Sequence, residues 1–458
     1  MTDFAALLQL DQRQPARDLH LVAARGYDAW RATLGGRQRA QLSAARFAAK
    51  PGEVAILPGD GDDDWSVAVG GDDLADPWAL ASAAAKLPGG TYRIADAGAA
   101  GLGWCIAQHR FDRYRKADDE QPPRVLLSGN PVAVRDTVRM AEATALVRDL
   151  VDTPANDLDP AALAEAIVAQ GRLFGATVNV IKGEGLRDGF PAVHAVGRAA
   201  AATPRLIELT WGDPAHPRLT IVGKGVTFDS GGLDIKGASG MALMKKDMGG
   251  AAHALALARL VMQADLPVRL RLIVPAVENA IAGNAFRPGD VIATRKGLTV
   301  EIGNTDAEGR LILADALTLA QEDDPDWLID FATLTGAARV ALGPELPAMF
   351  SNDEGLAAAL LAGGTATRDP LWRMPLWPGY RDMLKSPLAD LGNAPEGGFA
   401  GAITAALFLE RFIDDGRRWA HFDTFAWTPV SKPGRPKGGE ALGLRAAWAA
   451  VQGIYLCY

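Results

Sequence analysis

Between Arg205 and Leu334 the chain alternates short apolar runs with stretches of helical character. The runs are RLIELTW from Arg205, LTIVG from Leu219, RLRLIVPAV from Arg269 and WLIDFATL from Trp327, and many of their residues are β-branched. GGAAHALALARLVMQA and EGRLILADALTLAQE lie between them. This alternation predicts an α/β fold whose mostly parallel central sheet is covered by helices. In such a sheet functional groups belong in loops beyond the carboxyl ends of the strands.

A chain of 458 residues is too long for one ordinary core, at roughly 100–200 residues per domain. A small N-terminal α/β domain is expected over residues 1–133. It would hold strands in EVAILPG (from Glu53) and RVLLSG (from Arg124) and a helix in ADPWALASAAAKL (from Ala75). A connecting helix is expected over 134–157 and a larger α/β domain over 158–458. Asp159-Pro160 opens a helix there, with Asp as N-cap and Pro at the first helical position.

Several signals fail on inspection. PGDGDDDW (from Pro58) starts like a calcium loop, but Trp65 replaces the turn glycine and Gly71 stands where the last ligand should be; a solvated acidic turn is expected. LTIVG with Gly223-Lys224-Gly225 starts like a dinucleotide fingerprint, but Phe228 occupies the third glycine position. No HExxH or CxxC occurs, and His253 is expected to pack or face solvent. The net charge of −8 disfavours nucleic acid as the main partner. Two cysteines, Cys105 and Cys457, make no disulfide framework and suit a reducing cytoplasm. No signal peptide and no membrane span are expected.

Three segments place charge where a buried core would not tolerate it. GKGVTFDSGGLDIK (from Gly223) carries Lys224, Asp229 and Lys236; MKKDMGGAA (from Met244) carries Asp247; NTDAEGRL (from Asn304) carries Asp306, Glu308 and Arg310. Singly, each acid has a bland explanation as a turn residue, an N-cap or a helix-dipole partner. Together they leave two facts unexplained: lysines interspersed with acids at strand ends, and two carboxylates in alternate positions directly before an apolar helix.

These segments resemble the leucyl (cytosol) aminopeptidase family. With RDLVDTPAND, NAFRPGDV, ILADALTLA, TLTGA and WAHFDT, the resemblance runs from about Arg148 to the C-terminus. It implies that residues 158–458 form a metallopeptidase domain holding two divalent ions, Zn or Mn foremost, with Mg and Co admissible. Asp229 and Glu308 would bridge the ions. Asp306 would hold one, and Asp247 and the Lys224 amine would complete the other. Lys236 and Arg310 would assist catalysis, Arg310 by holding a bicarbonate ion. Met244, Thr333, Leu334 and Gly336 would line the substrate site. One departure is visible: FAWTP follows WAHFDT where the family has small residues, so Phe425 and Trp427 are expected to narrow the pocket.

The charges agree with this assignment, since two divalent ions balance four carboxylates and make burial feasible. Keeping Lys224 neutral at pH 7 costs about 4.6 kcal/mol, which coordination must offset. Two metals would activate a shared water as nucleophile, and the Lys236 ammonium would stabilise the oxyanion. The resemblance further implies small peptides with a free N-terminus as substrates and a homohexamer. The alternatives are a DNA-binding architectural relative and a catalytically silent scaffold.

Overall fold

The computed structural model describes residues 2–115, 122–395 and 397–455. They form two compact units, residues 1–145 with 429–437 and residues 146–428 with 438–458. Helix α1 (Pro131–Asp152) carries the chain from the first to the second.

The first unit is built on a six-stranded sheet ordered Leu8–Leu10, Arg124–Ser128, Gly90–Ile94, Arg17–Val22, Trp65–Gly70, Val54–Pro58. All pairs are parallel except the last. The acidic run after Pro58 is the turn of that antiparallel pair, where the Asp64 carboxylate accepts the Asp60 N–H at 3.1 Å. The expected helix from Ala75 is confined to Ala81–Lys86. Its first residues are instead held by side-chain turns, with Asp73 and Asp76 accepting backbone N–H groups. Cys105 is buried as a free thiol, and Cys457 lies outside the described residues.

The second unit contains the central sheet that the alternation predicts, with nine strands among the described residues. Its strands are β1 (Thr177–Lys182), β2 (Arg205–Trp211), β3 (Arg218–Gly223), β4 (Gly225–Asp229), β5 (Arg269–Asn279), β6 (Trp327–Ala332), β7 (Ala348–Ser351), β8 (Trp372–Arg373) and β9 (Trp419–Asp423). The order is β8-β7-β9-β6-β3-β5-β2-β1, with β4 alongside β5. The centre β9-β6-β3-β5 is parallel, and antiparallel pairs lie toward the edges. Helix α2 (Gly249–Gln263) packs on β3 and β6, and α3 (Glu308–Gln321) packs on β3 and β5. Both helices are buried along nearly their whole length, so their apolar character runs all round. The Asp159 side chain caps the helix Pro160–Leu173 by accepting the Ala162 N–H at 2.8 Å.

Glycine sets how closely α2 can approach. A Cβ on Gly250 would lie 2.2 Å from the Phe331 carbonyl oxygen, so only glycine lets the helix start against β6. His253, inside α2, is fully buried; its Nδ1 lies 2.7 Å from the Gly249 carbonyl and its Nε2 accepts the Leu442 N–H at 3.0 Å. It is a packing histidine. No described helix is long and apolar enough to cross a membrane.

Asp330 ties β6 to β9. Its buried carboxylate accepts from Trp419 Nε1 at 2.7 Å and lies 2.6 Å from His421 Nδ1. Asp330→Ala leaves buried polar groups unpaired and is expected to cost about 3 kcal/mol. Denaturant unfolding checks this, and an unchanged midpoint would contradict it.

Candidate active site

The charged residues singled out in the sequence converge beyond the carboxyl ends of β3, β4 and β6. Lys224 directly follows β3, and its backbone N–H donates to the Phe331 carbonyl at 2.9 Å. Asp229 ends β4. Asp247 sits in a single turn, Met244–Met248, that leads into α2. Asp306 lies in the turn before α3, and Glu308 is that helix's first residue.

Carboxylate oxygens of Asp229, Asp306 and Glu308 lie within 4.8 Å of one another. The Lys224 ammonium lies 2.7 Å from Asp247 Oδ2 and 3.0 Å from Glu308 Oε1. Lys236 lies 2.7 Å from Asp229 Oδ2 and also contacts Asp306. Four carboxylates therefore share two ammonium groups. The imbalance favours retained protons: burial pushes Glu308 up to about 8 and Asp306 up to about 6, and the charge of Asp229 adds to both. Burial pulls the Lys224 ammonium down, but Asp247 and Glu308 outweigh it and hold the group above its ordinary value.

Neutral groups aim these ligands. Asn279 Nδ2, at the end of β5, donates to Asp229 Oδ1 at 2.9 Å and to the Thr305 carbonyl at 3.1 Å. Thr333 Oγ1 donates to Asp247 Oδ1 at 2.8 Å. Asn393 Oδ1 accepts the N–H groups of Gly303 and Asn304, fixing the turn that carries Asp306. Asp423 accepts from the Leu334 and Thr335 N–H groups at 3.0 and 3.1 Å and from Thr335 Oγ1 at 2.6 Å. Sequence reading missed Asn279, Asn393 and Asp423. Asn279 and Asp423 had a signal, a polar residue closing an apolar strand; Asn393 had none.

The residues present fit a divalent metal centre. Asp247 Oδ2, Asp306 Oδ1 and Glu308 Oε1 are buried and make no hydrogen bond of good geometry, although each lies at ion-pair distance from a lysine. Buried oxygens of this kind, with one amine beside them, are the donors that hard and borderline cations take. The glycine of NTDAEGRL belongs to the same device: a Cβ on Gly309 would lie 2.4 Å from Lys224 Cε.

A cavity of about 430 Å³ opens beside the cluster. Lys224, Asp229, Lys236, Asp247, Asp306 and Glu308 line it, as do Met244, Thr333, Leu334 and Gly336. Arg310 stands apart. It is buried off the cavity wall, donating through Nη1 to the Asn393 carbonyl at 2.7 Å, and burial lowers it to about 10. Phe425 is on the wall, as expected. Trp427 is not: its indole is buried away from the cavity with Lys245 Nζ 5.8 Å from the ring, so it does not narrow the pocket.

With this geometry in view, comparison with known proteins decides the family. Residues 145–447 match the family model described as cytosol aminopeptidase family, catalytic domain, and residues 18–126 match the M17 aminopeptidase N-terminal domain.

The chain belongs to the cytosol aminopeptidase family.

A relative from Syntrophotalea carbinolica, described as a probable cytosol aminopeptidase, is 43% identical over 360 residues, covering 75% of this chain and 72% of the relative. The crystal structure of a cytosol aminopeptidase from Coxiella burnetii is 44% identical with a TM-score of 0.94, covering 98% of this chain and 99% of that one. The bottromycin maturation enzyme BotP in complex with Mn is 33% identical with a TM-score of 0.86, covering 98% and 100%. The protein is thus a metal-dependent aminopeptidase, a hydrolase of the N-terminal peptide bond. Membership favours this over the DNA-binding and silent-scaffold alternatives.

Two outcomes follow for metal binding. A proton on Glu308 competes with a cation below about pH 8, so Mn²⁺ affinity should rise at least about tenfold from pH 6 to pH 8. Calorimetric titration checks this, and a constant Kd would contradict it. Gly309→Ala should displace Lys224 and weaken Mn²⁺ binding at pH 8 by about tenfold or more, with the fold retained by circular dichroism.

Proposed function

We propose that this aminopeptidase works with two divalent ions held by Asp229, Asp247, Asp306, Glu308 and the amine of Lys224. The observation that carries the reading is the convergence of three carboxylates within 4.8 Å, joined to Asp247 through Lys224. Zn²⁺ or Mn²⁺ is the expected occupant, with Mg²⁺ and Co²⁺ admissible. Bound ions supply Lewis acidity to the scissile carbonyl and to the attacking water.

The chain's own residues do the rest. Lys236, on the cavity wall, directs its ammonium at the negative charge that develops on the carbonyl oxygen. Asp247, together with its ion, receives the free α-amino group of the substrate, which makes the enzyme an exopeptidase, because an internal peptide bond offers no such amine. Asp423 orders the backbone from Leu334 to Thr335, against which the peptide lies. Met244, Thr333, Leu334 and Gly336 bound the substrate. Arg310 remains protonated at working pH and so acts as an anion holder, with bicarbonate as its proton-carrying guest.

The substrates proposed are small peptides with an unblocked N-terminus, and the compartment is the cytoplasm, which the name of the relatives supports. A homohexamer is proposed as the assembly. The exposed apolar side chains of Val340, Leu388 and Phe399 support a subunit interface.

Protein stripped of metal and reloaded with Mn²⁺ or Zn²⁺ is expected to cleave free dipeptides and to leave their N-acetylated forms intact. Glu308→Ala should lose at least about a thousandfold in kcat/KM, a loss of transition-state stabilisation of about 4 kcal/mol. Full activity in that variant, or cleavage of acetylated peptides, would overturn the reading.

A further inference from the structure

We infer that the cavity selects peptides whose N-terminal side chain is acidic, aspartate or glutamate, and that Lys246 is the specificity-determining residue. The inference deepens the aminopeptidase reading and rests on it.

Lys246 precedes Asp247 in the turn that enters α2, and it lines the cavity. It is only 5% exposed. Among the described residues, its ammonium has neither a carboxylate within 4.0 Å nor a hydrogen bond. Burying an ammonium without an anionic partner is costly, and the protein offers only a partial remedy. Nζ lies 4.8 Å from the centroid of the Phe425 ring, a cation–π contact.

A second cation shares that ring. Arg339, from the helix Gly336–Leu342, places its guanidinium carbon 4.9 Å from the Phe425 centroid. It too lines the cavity and has no carboxylate at ion-pair distance among the described residues. Phe425, the bulky departure seen in the sequence, thus gathers two like charges at one place on the wall. Their mutual repulsion works against the fold.

The acids nearby are already engaged. Asp423 accepts three hydrogen bonds from Leu334 and Thr335. Asp229, Asp247, Asp306 and Glu308 belong to the metal cluster with Lys224 and Lys236. The cavity therefore supplies two cations and an aromatic face to whatever side chain enters it. A carboxylate completes that set through charge-assisted hydrogen bonds, whereas a cationic side chain meets repulsion.

Glutamate and glutamine have the same shape and differ in charge, so they separate charge recognition from fit. With metal-loaded full-length protein, the expected kcat/KM for a Glu-peptide exceeds that for the Gln-peptide by at least about tenfold. Equal rates, or faster cleavage of the Gln-peptide, would overturn the inference. Lys246→Met should lower the Glu-to-Leu ratio of kcat/KM by about tenfold, and Arg339→Gln, at an exposed position, by about threefold. Ratios unchanged in both variants would remove Lys246 and Arg339 from specificity. Should Lys246→Met fail to fold, the Glu–Gln comparison and Arg339→Gln still decide. Cleavage of Leu-peptides without a Glu preference sinks this inference alone. No cleavage of any free peptide, with any of the metals, sinks the aminopeptidase reading and this inference with it.

Discussion

Four carboxylates, one ending β4, one in the turn before α2 and two at the start of α3, crowd one site without enough positive charge to balance them. Asp229, Asp247, Asp306 and Glu308 share two ammonium groups. Three of their oxygens are buried without a hydrogen bond of good geometry. Buried carboxylates at such distances repel one another strongly, and Lys224 and Lys236 offset only part of that repulsion. The site therefore stores a demand for positive charge, which is what a pair of divalent cations supplies.

Much of the neighbouring structure serves that demand. The parallel centre of the sheet places the ends of β3, β4 and β6 together. Gly250 lets α2 begin against β6, and Gly309 leaves room for the Lys224 side chain beneath α3. Asn279 and Thr333 hold Asp229 and Asp247 by neutral hydrogen bonds, which aim the carboxylates without adding charge. Outer groups of this kind fix the orientation of ligands and tune a metal centre. Beyond them, Asp423 ties the end of β9 to the segment that borders the substrate cavity.

The charged half of this arrangement was legible in the sequence. Lysines interspersed with acids at strand ends, and two carboxylates directly before an apolar helix, had no joint bland explanation, so Lys224, Asp229, Asp306 and Glu308 stood out, and the α/β alternation located β2, β3, β5 and β6. The neutral half was not legible. Asn393 comes from a distant loop and reaches the turn at Asn304 only through the tertiary fold. Gly309 read as part of a motif, with its reason hidden until Lys224 was seen beneath it. Phe425 and Trp427 looked alike in sequence, two bulky residues two apart; in the structure one faces the cavity and the other is buried away from it. The Lys246–Phe425–Arg339 cluster brings three separate segments together, and no local pattern announces it.

As a centre for two ions, the carboxylate cluster should take up two Mn²⁺ per subunit. Crystals of the protein loaded with Mn²⁺, measured at the manganese absorption edge, test it directly. Two anomalous peaks about 3.5–4 Å apart are expected, both in contact with the carboxylates of Asp229 and Glu308. A single peak at full loading, or peaks away from these residues, would contradict it.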